Sequence, residues 1–179
     1  MLNGKRFAKV NVKVLTILIL ITSAIVISLF AARQIRRSVF TKMYLKEGQK
    51  AYENNDWSAA YQNFKEYLGR NPNDLEILKK YAEARLSIRP LNSDAITEAV
   101  IAYRRIIQLD PLDETAYDKL AMLYTSIGNF EELAYIARMK LKNDPNDKKA
   151  PLWLADASIN LNKIDDAEQT LLKLSLIHI

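Results

Sequence analysis

The chain has 179 residues with no cysteine, one histidine (His178) and four glycines. Those counts exclude a thiolate nucleophile, a zinc–thiolate site and a Gly-rich phosphate cradle, and they argue against an enzyme, a cofactor, a bound metal or a small-molecule substrate. The net charge of +5 is unevenly divided: residues 1–42 hold eight Lys and Arg and no acid, whereas the remainder carries 18 bases against 21 acids, so no basic stripe for nucleic acid is present.

A basic tail, residues 1–13, precedes nineteen residues without charge, Gly or Pro, Val14 to Ala32. As a helix this stretch spans about 28 Å, close to the thickness of a bilayer's hydrocarbon core. Its hydroxyls, Thr16, Thr22, Ser23 and Ser28, can bond back to the preceding turn. A buried soluble helix rarely runs so long uninterrupted. A cleavable signal peptide would be shorter and end in an Ala-x-Ala-like site, whereas Phe30 and Leu29 stand three before the available cuts. Residues 14–32 are therefore expected to form an uncleaved single-pass transmembrane helix.

Four bases lie in the thirteen residues before the span and five in the fifteen after it. That near balance favours neither side strongly. An N-terminal anchor with its tail inside and the remainder outside the cytoplasm is the expected topology. Residues 33–40 form a linker without Gly or Pro, so the membrane helix is expected to continue into the next element and hold it close to the bilayer.

Beyond the linker the chain is punctuated by Asn71-Pro72-Asn73-Asp74, Asp110-Pro111-Leu112-Asp113 and Asp144-Pro145-Asn146-Asp147. The prolines are 39 and 34 residues apart, a period that marks stacked helical repeats. Proline stops one helix and the flanking Asp or Asn caps the next.

Aligned on these turns, residues 41–74 place Tyr44, Gly48, Trp57, Ala60, Phe64, Tyr67 and Pro72 at the spacing of two antiparallel helices. Residues 75–113 repeat it with Leu78, Tyr81, Ala82, Ala99, Tyr103, Ile106 and Pro111, and carry five extra residues around Ser87 to Ser93. There Pro90 should stop the first helix and Asn92 to Asp94 cap the second. Surface loops tolerate such insertions, and this one could also touch a partner.

Residues 114–147 supply Tyr117, Leu120, Ala121, Tyr124, Gly128, Phe130, Ala137 and Pro145. Here Leu133 stands where Ala is expected, and one turn later Ala137 stands where the others have Phe64 and Tyr103, an exchange of large and small that conserves volume. Residues 148–173 give Trp153, Leu154, Ala155, Asn162, Ile164, Ala167 and Leu171, with Pro151 suited to a first helical turn. The acidic pairs Glu131-Glu132 and Asp165-Asp166 fall near starts of second helices, where carboxylates favour the dipole.

This pattern resembles the tetratricopeptide repeat family over residues 41 to about 173, as three complete units and an incomplete fourth. The resemblance implies an all-α, right-handed solenoid of helix-turn-helix repeats following the single transmembrane helix, and a protein or peptide partner lying in the concave groove lined by the first helices. Carried over by position, the groove residues are Lys42, Leu45, Gln49, Tyr52 and Glu53, then Ile77, Lys79 and Glu83, then Thr115, Asp118, Met122, Thr125 and Ser126, then Lys149, Leu152, Asp156 and Ile159. Where some family members clamp a terminal carboxylate with Lys and Asn, this chain has Leu45 and Gln49, then Lys79 and Glu83, which argues against a receptor for chaperone tails. The mixed groove suits an extended or helical partner, and solvated helix faces would present the same residues.

Residues 174–179, Leu-Ser-Leu-Ile-His-Ile, equal the in-frame translation of CTGTCTCTTATACACATC, a transposase adapter used in library preparation. We read them as foreign and expect the natural chain to continue past Lys173, which would also remove the only histidine. An apolar helix end, with Leu174 in register, is the alternative, and the locus sequenced from intact genomic DNA distinguishes the two. The expected function is a membrane-anchored scaffold for protein–protein interaction. The alternatives are the recruitment region of a larger enzyme and a component of an envelope secretion or pilus-assembly system.

Overall fold

The computed structural model describes residues 12–163 and Ala167. Seven α-helices follow one another among them: α1 (Val12–Glu53), α2 (Trp57–Leu68), α3 (Leu75–Ser87), α4 (Ser93–Leu109), α5 (Glu114–Ser126), α6 (Phe130–Asn143) and α7 (Ala150–Asn160). No strand occurs among the described residues. The readings made for Asp165-Asp166, Leu171 and residues 174–179 lie outside them.

The chain divides into two compact units at Met43–Tyr44. In the first, every side chain from Leu15 to Phe30 is exposed. Thr16, Thr22 and Ser23 donate their hydroxyls to carbonyls three or four residues earlier, which hides polar groups within the helix. Among the described residues, α1 is the helix long and apolar enough to cross a membrane, by length and composition. Its bounds are unbroken from Val12 to Glu53.

The second unit is an α-solenoid in which α2 through α7 each pack on their chain neighbours. Small residues recur where helices cross: Ala60, Ala82, Ala99 and Ala121 are buried against Phe64, Tyr103, Ile106, Tyr117 and Leu120. Leu133 and Ala137 are both fully buried, so the exchange of large and small takes place inside the core.

Two kinds of turn alternate. Within a repeat, the chain reverses through a residue of positive φ at Asn55, Gly128 and Asn162, the same register position in units one, three and four. In each, the next N–H reaches back five residues, as Asp56 N to Ala51 O (2.9 Å), Asn129 N to Tyr124 O (2.9 Å) and Lys163 N to Ser158 O (2.8 Å). That is a Schellman closure, and Gly and Asn are the residues that enter the left-handed region at least cost. The next residue then caps the second helix: Asp56 accepts from Ala59 N, and Asn129 from Glu132 N.

The second unit replaces this turn with its five-residue insertion. Helix α3 ends at Ser87 and Asn92 caps α4 by accepting from Ala95 N, as the sequence anticipates.

Between repeats the proline turns end in Asp74 and Asp113, which accept from Ile77 N and Ala116 N. Asp147 behaves differently. Helix α7 starts three residues later, at Ala150 with Pro151 in its first turn, and Asp147 accepts from both Ala150 N (2.6 Å) and Lys149 N (2.9 Å).

Candidate interaction groove

The positions expected to line a groove lie on the end of α1, then on α3, α5 and α7. Tyr52 is half-buried, its ring edge-on to Trp57 at 5.4 Å and tilted against Phe64 at 6.1 Å. Its hydroxyl donates to the Glu83 carboxylate on α3, and the Lys80 ammonium stands 5.8 Å from the ring centre. Burial, and then the Glu83 carboxylate beside it, push the Tyr52 phenol well above its ordinary range.

Lys79 pairs with Asp113, the residue that caps α5, and so ties α3 to the start of the next repeat. On α5, Asp118 accepts from Lys149 Nζ at 2.6 Å, joining the third unit to the fourth. That hydrogen bond holds the Lys149 ammonium above its ordinary value.

Glu83, Asp118 and Lys149 are thus committed across repeat boundaries and Lys79 to the cap of α5, pairings that positions along separate helices do not disclose. Asp156 is exposed, and one of its carboxylate oxygens accepts from Asn160 Nδ2 at 3.1 Å. Gln49 and Leu45 are half-buried, Leu45 against the core. Ile77 does not belong to the groove. It is buried in the core, and the exposed residue beside it in register is Glu76, paired with Lys80 at 2.6 Å.

Three groove residues remain open and apolar: Met122 is 53% exposed, Leu152 52% and Ile159 56%. They occupy α5 and α7, alongside the Asp118–Lys149 pair, whereas the groove positions on α1 and α3 hold no exposed large apolar side chain. Among the described residues no group of three His, Cys, Asp or Glu stands close enough to hold a metal ion.

A feature that sequence reading missed is Lys140, on α6. It is buried, with its ammonium 2.9 Å from Asp147 and 5.2 Å from the centre of the Tyr117 ring. The signal was a lysine at a register position where the second unit has Ile106.

No family model matches the chain. It is 23% identical over 110 residues to the serine/threonine-protein phosphatase T of Aspergillus oryzae, a match spanning 62% of this chain and 22% of that protein. Among solved structures it is similar to the crystal structure of MamA, with 20% identity, 75% of each chain covered and a TM-score of 0.56. It is also similar to a MamA RS-1 double mutant, with 17% identity, 75% of this chain and 73% of that one, and a TM-score of 0.55. The likeness is one of fold: a tetratricopeptide-like array of paired helices.

Proposed function

We propose that the protein is a membrane-anchored scaffold whose repeat array binds a partner protein through the apolar end of its concave groove. The observation that carries this reading is the contrast within the groove. Glu83, Asp118 and Lys149 are engaged by neighbouring repeats and Lys79 by Asp113, while Met122, Leu152 and Ile159 are open to solvent. A partner presenting an apolar face buries those three at a gain of about 25 cal/mol per Å², without breaking the inter-repeat pairs. The groove residues Leu45, Gln49 and Tyr52 would then support the stack more than the partner.

The apolar stretch of α1 supports the anchor, since exposed Leu, Ile and Phe on every side of a helix are stable in hydrocarbon and costly in water. The repeats would lie outside the cytoplasm, a topology that protease accessibility in intact cells tests.

A photoreactive residue at position 122 or 159 of the full chain, in its native membrane, should give discrete protein adducts that are lost with Leu152→Glu. Equal adducts from position 62, exposed on α2, would overturn the reading.

A second reading is the recruitment region of a larger enzyme. The phosphatase match favours it, because the 110 matched residues make up only 22% of that longer protein. The full-length reading frame separates the two.

A further inference from the structure

A cleft lies apart from the exposed apolar groove positions Met122, Leu152 and Ile159. Helices α2, α3 and α4 leave between them this space of about 380 Å³, lined by Leu68 of α2 and Leu78 of α3, both buried. Ile101 forms part of its wall and is 62% exposed, whereas Tyr103, Ile106 and Ile107 on the same helix are buried.

The rim is basic. Glu98 also lines the cleft, but its carboxylate is already committed: it accepts from Arg85 Nε at 2.5 Å and from the Tyr61 hydroxyl at 3.0 Å. Lys65 donates to the Tyr61 hydroxyl at 3.1 Å and stands 3.7 Å from Glu98. Arg105 donates only to neutral amide oxygens, Asn73 at 2.5 Å and Gln108 at 3.1 Å, with no carboxylate partner among the described residues. Arg105 and Lys65 therefore border an apolar cleft whose one acid, Glu98, is shared between Arg85 and Lys65.

We propose that this cleft docks an acidic segment of a partner protein, which inserts an apolar side chain over Leu68, Leu78 and Ile101 and sets a carboxylate against Arg105 and Lys65. Arginine's planar fork can exchange an amide oxygen for a carboxylate at little rearrangement, and a charge-assisted bond is the stronger. A cleft of this size takes one large side chain, and its charge selects the sign of the flanking residues.

The test uses the full chain in nanodiscs of zwitterionic lipid and three short fluorescein-labelled peptides. One has glutamates flanking a central Phe-Leu pair, one has lysines in place of the glutamates, and one has serines in place of Phe and Leu. Fluorescence anisotropy should show the first binding about tenfold or more tighter than either twin. Ile101→Glu should abolish that preference with the helical circular dichroism unchanged. Arg105→Glu combined with Lys65→Glu should transfer it to the lysine peptide, and Met122→Glu should leave it intact.

The proposal is overturned if the acidic peptide does not bind below about 1 mM. It is equally overturned if Met122→Glu rather than Ile101→Glu removes binding, which would place the peptide in the concave groove. Displacement of the peptide by sub-stoichiometric oleate would assign the cleft to a lipid. Self-association of the chain abolished by Ile101→Glu would assign it to a second copy.

Discussion

Gly48 lies so close to Phe64 that a β-carbon added to it would stand 2.7 Å from two carbons of the ring. Phe64 is fully buried and its ring also meets Tyr52, so the crossing of the first two repeat helices leaves no space for a methyl group. Replacing Gly48 with Ala gains helix propensity of about 1 kcal/mol, but overpacking a filled core costs about 1–3 kcal/mol. We expect Gly48→Ala to lower the thermal midpoint of the full chain in detergent, with Phe64→Leu in the same chain recovering part of the loss. A rise in midpoint for Gly48→Ala alone would mean the ring moves aside freely.

The buried Lys140–Asp147 pair fastens α6 to the start of α7. Both side chains are nearly closed to solvent, at 6% and 8% exposure, so removing one partner strands the other charge. Lys140→Met should destabilise by about 3 kcal/mol, within the range for broken buried pairs. Asp147→Ala should cost more, because it also releases the N–H groups of Ala150 and Lys149. Denaturant unfolding of the two variants checks the order, and equal losses would show that the capping bonds contribute nothing.

Acid should weaken the stack through the same residue. Burial alone would raise the Asp147 carboxyl, but the Lys140 ammonium and the N–H groups of Ala150 and Lys149 outweigh it and hold the carboxyl below its ordinary value. Glu98 is likewise lowered: burial pushes it up, and Arg85 and the Tyr61 hydroxyl bring it down further. A depressed folded-state value means stability that is complete above the unfolded value of about 4 and lost as pH falls through the folded one. Thermal midpoints measured downward from neutrality should stay flat and then drop below about pH 4. The drop should be shallower in Asp147→Asn, which starts from a lower plateau.

At the alkaline end the sign reverses. Burial and the Asp74 carboxylate push Tyr67 up to about 12, and burial with Glu83 and Asp113 does the same to Tyr103. Unfolded tyrosines ionise near 10, so the stability from their protonated forms is complete below about pH 10 and lost as pH rises towards 12. Near-ultraviolet titration should show these phenols ionising late, together with loss of helical circular dichroism. Tyr67→Phe should reduce the alkaline sensitivity, and its failure to do so would remove Tyr67 from this account.

The alternation of Ala with large side chains and the caps at Asp74, Asn92 and Asp113 were legible along the chain, because each depends on neighbours within about one helical turn, and the period of the proline turns needs only their spacing in sequence. So was the apolar run of α1, which needs only length and composition. The register shared by Asn55, Gly128 and Asn162 was written there too, in residues whose backbone freedom makes the turn, but their positive φ is a property of the folded backbone.

Tertiary structure decided the rest. Tyr52 meets Glu83 across 31 positions, Lys149 meets Asp118 across 31, and Tyr61 meets Glu98 across 37. The angle at which one helix pair stacks on the next chooses those partners. A lysine such as Lys140 belongs to solvent by its chemistry and to the core by its place, and only the turn bearing Asp147 makes that burial affordable. The same stacking leaves Met122, Leu152 and Ile159 open in one groove and Ile101 open in another cleft, because which apolar side chains a solenoid leaves uncovered depends on how its helices cross.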